Sequence, residues 1–159
     1  MELTELVEHL NRQGNEWPAS AFGGVEGTLA GLAQYRLLKT IGEERVIWAH
    51  GKAAPTDDGG VTLEALVFTE AYVLTDNTGG TAAQGPRAGT TRVIPWTELT
   101  GLTLRDYWPD GSGSKTERAH FTVHMGEGRD FEILPGATDG RHATVELLDF
   151  ALRKLAAKK

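Results

Sequence analysis

The segment ERAHFTVHMGEGRDFEIL, residues 117–134, decides the predicted fold. Its apolar side chains Phe121, Val123 and Met125 alternate with the polar side chains of His120, Thr122 and His124. A two-residue period is typical of a half-buried strand, because successive side chains point to opposite faces of a sheet. The alternation resumes after Gly-Glu-Gly, so the segment predicts a β-hairpin.

Five stretches that precede this hairpin show further strand signals. They are VIWAHGKA (46–53), VTLEALVF (61–68), AYVLTD (71–76), TRVIPW (91–96) and TGLTLRDYW (100–108). β-Branched and aromatic residues favour strands, and turn-forming residues separate most of these runs. Residues 77–90 have little to bury and predict a long mobile loop. Seven short strands predict a mainly β (α+β) domain built as an antiparallel barrel or sandwich.

Helical spacing appears at both ends of the sequence. A C-terminal amphipathic helix, capped by Thr138 or Asp139, is predicted to close the β core. Its apolar stripe is Val145, Leu148, Leu152 and Leu155. Residues 3–13 predict a short helix, and residues 19–27 predict a connector.

A second N-terminal helix is predicted to begin at Thr28 and to end near Gly42, with a strand through residues 34–38 as the alternative. The predicted organisation is an N-terminal helical extension and connector at residues 1–42, followed by the β-domain at residues 43–159.

Composition limits the class of partner. The formal net charge is −6, and residues 1–152 hold 12 basic against 22 acidic side chains. Nucleic acids and anionic membranes are bound chiefly through Lys and Arg, so this charge disfavours both. The sequence has no cysteine and no apolar run of membrane-spanning length, which predicts a cytoplasmic protein.

Five segments carry a resemblance to a known family. They are IGEERVIWAHGKA (41–53), LEALVFTEAYVLTD (63–76), RVIPWTELTGLTL (92–104), HFTVHMGEGRDFEIL (120–134) and ATVELLDFALRKL (143–155). With them, residues 41–157 resemble a bacterial pleckstrin-homology-like (PH-like) domain, which has seven strands and then one helix. The resemblance implies a scaffold that binds lipids, peptides or protein surfaces. Phosphoinositide-binding members carry a basic first hairpin, whereas here Lys52 is followed by Asp57 and Asp58.

No pattern for metal, cofactor or nucleophile chemistry is found in the sequence. His120 and His124 lie about 13 Å apart along a strand and are interpreted as polar residues on a wet face. Asp57-Asp58 and Asp76-Asn77 lack the spacing of a calcium loop and are interpreted as solvated turns. Phosphate-binding glycine loops are absent, and the serines lie in flexible segments. We therefore predict no metal, no cofactor and no catalytic residue.

The leading functional hypothesis is a non-catalytic binding or assembly module for a protein or peptide, with self-association as one form. Tyr107 and Trp108, at a predicted hairpin tip, are the candidate contact residues because aromatic side chains dominate interface energies.

Two alternatives stay open. One is a small-ligand-binding protein or enzyme that uses a barrel pocket with His50, His120 or His124. The other is a membrane-surface module, which requires basic residues to converge on one face; these are Lys52, Arg87, Arg92 and Arg118.

Overall fold

In a computed structural model, the strands form two antiparallel sheets. Each sheet is built from a different part of the chain. The structure describes residues 1–14, 16–18, 24–81, 85–86, 89–109, 117–136 and 141–158. These residues divide into two compact units, Met1–Ile94 and Pro95–Lys159. The fold is α+β and mainly β, with a C-terminal helix, as predicted. The division into domains at residue 42 stays a prediction.

The first unit contains two helices and the larger sheet. Its elements are α1 (Leu3–Asn11), α2 (Gly24–Ile41), β1 (Val46–Pro55), β2 (Val61–Thr69), β3 (Tyr72–Thr81), β4 (Gly85–Pro86) and β5 (Thr90–Pro95). The strand order is β1-β2-β3-β4, and β5 also pairs with β3. The predicted second helix is confirmed and begins earlier than expected, at Gly24, so the strand alternative at residues 34–38 is wrong.

Alternation along β2 explains why helices cover one face of this sheet. Its alternate residues Val61, Leu63, Ala65 and Val67 are buried. They belong to one apolar cluster with Leu6, Leu10, Leu29, Ala33, Leu37 and Ile41 of the two helices. The apolar stripes of α1 and α2 therefore have a β-sheet to pack on, which is the usual source of stability for short helices.

The segment after α1 is held against the middle of β1. Asn11 accepts a hydrogen bond from the Trp17 amide at 2.8 Å, and its side-chain amide donates to the Trp17 carbonyl at 3.3 Å. The buried Trp17 indole lies on Gly51, where a Cβ would stand 2.5 Å from Cε3 of the ring. Glycine at position 51 is therefore what allows the indole to approach the strand.

The second unit contains the smaller sheet and the C-terminal helix. A 3₁₀ turn (Trp96–Glu98) leads into β6 (Leu99–Trp108), β7 (Arg118–Met125), β8 (Arg129–Ile133) and α3 (Arg141–Ala156). The strand order is β6-β7-β8. The β7–β8 hairpin predicted from residues 117–134 is confirmed, and its turn places Glu127 and Gly128 at φ values of 64° and 72°.

The predicted loop at residues 77–90 is wrong in part. β3 continues through Thr81, and its residues 77–80 pair with residues 61–64 of β2. β5 begins at Thr90, and residues 82–84 and 87–88 lie outside the described part of the chain. Small and polar residues predict a loop by themselves, but the ladder to β2 satisfies their backbone groups, so they need no apolar side chains to form a strand.

The predicted apolar stripe of α3 is confirmed at Val145 and Leu148, which are buried, and is wrong at Leu152. Its buried residues are Ala143, Thr144, Val145, Leu147, Leu148 and Ala151, whereas Leu152 is 48% exposed. The buried side of α3 thus passes through residues 144, 147, 148 and 151 and reaches Ala151 rather than Leu152. The predicted cap residues Thr138 and Asp139 lie outside the described residues.

No closed barrel is formed by the strands that the structure describes, because they belong to two separate sheets. In the described part of the chain, every helix is too short or too polar to cross a membrane.

Candidate functional site

One face of the small sheet carries a row of polar and aromatic side chains. Along β7, alternate residues Ala119, Phe121, Val123 and Met125 are buried, so the intervening residues point to the opposite face. Paired residues of neighbouring strands project to the same side, which extends this face onto β6 and β8. We call it the outer face, and its members are Gly101, Thr103, Asp106, Trp108, Arg118, His120, Thr122, His124, Asp130 and Glu132.

Three residues from three strands form a hydrogen-bonded chain on the outer face. The Thr103 hydroxyl lies 2.7 Å from Nε2 of His124, and Nδ1 of His124 lies 2.7 Å from Oδ1 of Asp130. A carboxylate beside Nδ1 favours the tautomer that carries its proton on Nδ1, and in that tautomer Nε2 accepts the hydrogen of the Thr103 hydroxyl. Hydroxyl, imidazole and carboxylate thus stand in the order that polarises a hydroxyl group toward nucleophilic attack.

An irregularity at the start of β6 sets this geometry. The register shifts between Leu99 and Gly101, and the Thr100 hydroxyl donates to the His124 carbonyl at 3.1 Å. Gly101 lies opposite His124, and a Cβ at that position would contact only the ring carbon Cδ2, at 3.9 Å. The glycine therefore leaves the side of the imidazole open.

His120 lies four residues before His124 on β7 and projects from the same face, but it makes different contacts. Its Nε2 is 3.4 Å from Oε1 of Glu132, and this nitrogen has no hydrogen-bond partner. The two histidines each have a carboxylate neighbour of their own, and only His124 also has a hydroxyl partner. The side chains of His120 and His124 are 23% and 31% exposed, respectively.

Tyr107 and Trp108 lie at the end of β6, at the edge of the sheet. Tyr107 is 43% exposed, and its hydroxyl donates to the carboxylate of Glu117. The guanidinium of Arg118 stands 4.7 Å from the centre of the Trp108 ring. Both aromatic residues are in strand positions, and residues 110–116 of the predicted hairpin tip lie outside the described residues.

Comparisons with protein-family models, with curated proteins and with solved structures found no match. The likeness to PH-like domains therefore depends on the segments of the sequence that carry it.

His50 belongs to the other compact unit, on β1. Its ring lies 6.2 Å from that of Trp48, and its Nδ1 is buried without a hydrogen-bond partner. Burial lowers the pKa of His50 below its ordinary value; Glu16 opposes this and Lys52 adds to it. The imidazole is therefore held in its neutral form.

The basic residues of the membrane alternative have separate surroundings. Lys52 pairs with Glu64 at 3.3 Å, and both side chains are about half exposed. Arg118 covers Trp108, Arg92 is exposed on β5, and Arg87 lies outside the described residues. Lys52 and Arg118, two of the four basic residues, thus already contact an acidic or an aromatic side chain within the protein.

A polar network in the first unit was missed by the sequence analysis. The side chain of Asp76 is fully buried and accepts from Arg36 at 3.0 and 3.1 Å, from Thr78 at 2.7 Å and from Thr91 at 2.5 Å. The interpretation of Asp76 as part of a solvated turn is wrong, because β3 continues through it and α2 supplies the opposite charge. This network satisfies all its charges internally and therefore serves structure.

An acidic cleft of about 420 Å³ in the first unit is lined by Met1, Glu5, His9 and residues 42–46. Burial lowers the pKa of His9, with a further contribution from Arg12. Among the described residues, no group of three or more His, Asp and Glu side chains is placed to hold a metal ion. The Thr103–His124–Asp130 chain is thus the most specific arrangement of reactive groups in the described structure. No local sequence motif signals it, because its members are brought together by strand register.

Proposed function

We propose that this protein is a non-catalytic binding module of PH-like type, and that a protein or peptide partner docks along β6. The observation that carries the proposal is the exposure of β6: residues 103–107 are all exposed, and they include Leu104, which is 55% exposed. Strands at the edge of a sheet offer backbone groups and side chains to a partner.

Tyr107 and Trp108, which project from opposite faces of the β6 edge, supply the expected energetic centre of this surface. Trp and Tyr are enriched among the few residues that dominate binding energy, and Arg118 holds the Trp108 ring in place through a cation–π contact. Tyr107, through its bond to Glu117, is likewise held in one orientation. Side chains ordered before binding lose less entropy when a partner docks.

Charge supports a protein or peptide partner over a phosphate-bearing one. The chain is acidic, and Arg118 is engaged with an aromatic ring. The sequence resemblance points the same way, because PH-like domains include many peptide- and protein-binding scaffolds. A cytoplasmic location belongs to the same proposal and is supported by the absence of cysteine.

Substitution on β6 tests the proposal. Trp108→Ala and Leu104→Ala should abolish capture of the partner or self-association, the latter measured by sedimentation velocity over a range of concentrations. Leu134→Ala is the matched control, since Leu134 is 57% exposed just after β8. If Trp108→Ala instead lowers the free energy of unfolding by several kcal/mol and leaves association unchanged, Trp108 serves packing and the proposal is wrong.

A further inference from the structure

We propose that Thr103 is a modification site: an activated hydroxyl that accepts an acyl group from a thioester or another activated ester. The proposal rests on the hydrogen-bonded chain from Thr103 through His124 to Asp130, in which both distances are 2.7 Å. It is independent of partner docking: Trp108 lies five residues further along β6, and the adjacent Leu104 pairs with Phe121 and so projects from the opposite face of the strand.

The chemistry follows from the roles that the three groups can take. Oγ1 of Thr103 forms a bond to the carbonyl carbon of the ester, and its proton passes to Nε2 of His124. The bond from that carbon to the leaving oxygen or sulfur then breaks, the leaving group takes the electron pair, and His124 returns the proton to it. The products are acyl-Thr103 and a free alcohol or thiol.

Asp130 is a positioning residue in this step. It does not touch the reacting atoms, but it holds the proton on Nδ1 and steadies the positive charge that the ring acquires. Gly101 places no side chain against Cδ2 of the imidazole, the carbon next to Nε2. Thr103 itself is exposed, so an acyl donor reaches it without any movement of the protein.

Exposure also limits what the site can do. An ester bound on an open strand face stays in contact with water. Rapid turnover instead needs hydrogen-bond donors that are already oriented toward the developing negative charge. We therefore expect a single, lasting acylation of Thr103 rather than repeated hydrolysis of an ester.

The test uses the full chain and p-nitrophenyl acetate. Intact-mass measurement should show one acetyl group per chain, released nitrophenolate should match it in amount, and peptide mapping should place it on Thr103. Thr103→Val should abolish this label, and Thr103→Ser should retain it. General base catalysis contributes about 10²–10⁴-fold in enclosed sites, so at this exposed site we expect His124→Gln to slow labelling at least about tenfold.

Two further variants separate activation from fold. His120→Gln is the matched control, because His120 lies on the same strand and face beside a carboxylate, and it should label at the rate of the unchanged protein. Asp130→Asn should slow labelling and leave the urea midpoint nearly unchanged. Acetyl groups on lysines alone, or equal labelling of Thr103 in His124→Gln and the unchanged protein, would overturn the proposal.

Discussion

The ion pair between Arg36 and Asp76 joins α2 to β3, and its removal should be costly. The Asp76 side chain has no exposure, and it accepts four hydrogen bonds, two of them from Arg36. Removing one partner of a buried ion pair costs about 3–5 kcal/mol, since the other charge stays buried. Arg36 is 30% exposed, and Thr78 and Thr91 still bond the carboxylate. We therefore expect Arg36→Met to cost about 2–3 kcal/mol.

A surface pair in the same unit provides the control. Lys52 and Glu64 are each 51% exposed and lie 3.3 Å apart, so Lys52→Met should cost about 0–1 kcal/mol. Both variants remove one cation and substitute the same apolar side chain. The difference between them therefore measures burial of the partner carboxylate rather than loss of net charge.

Urea unfolding followed by circular dichroism is the appropriate assay. The midpoints of the variants are compared after checking that the dependence of the unfolding free energy on urea concentration is unchanged. A double-mutant cycle with Asp76→Asn should give a coupling energy of about 1–3 kcal/mol, because the two side chains share direct bonds. If Arg36→Met costs no more than Lys52→Met, or if the coupling is absent, the carboxylate is not held by this pair and the reasoning is refuted.

Three other perturbations address the core and its pH dependence. Leu148→Ala should cost about 2–5 kcal/mol in urea and Leu152→Ala under about 0.5 kcal/mol, and equal costs would show that the helix stripe is assigned wrongly. Gly51→Ala should cost about 1–3 kcal/mol, because the added Cβ meets the indole of Trp17; an unchanged thermal midpoint would contradict this. Burial lowers the pKa of His9 and His50 from 6.5, so the unfolded chain binds more protons below that value. Their contribution to stability is thus present above pH 6.5 and lost as the pH falls. Replacing both by Gln should therefore make the free energy of unfolding fall less steeply as the pH is lowered.

Strands were predictable here wherever side chains alternate, because burial of one face imposes a two-residue period. The hairpin at residues 117–134 and the strand from residue 61 show this. The second half of β3 was not predictable, because Asn77, Gly79 and Gly80 carry no apolar pattern and depend on the β2 ladder. The buried role of Asp76 was hidden for a related reason: its partner is 40 residues away in the sequence, on a helix.

Irregular register also hides from the sequence which side chains of β6 share a face. Thr103 and Trp108 are five residues apart, and in a regular strand an odd separation places two side chains on opposite faces. The register shift between Leu104 and Asp106 absorbs one residue, so Thr103 pairs with Thr122 and Trp108 pairs with Arg118, both on the outer face. A bulge has no reliable signature in a single sequence, yet this one sets which side chains of β6 share a surface. The acyl acceptor at Thr103 and the docking residue Trp108 therefore lie on the same face, about 13 Å apart along the strand, which is far enough for substitutions to distinguish the two proposals.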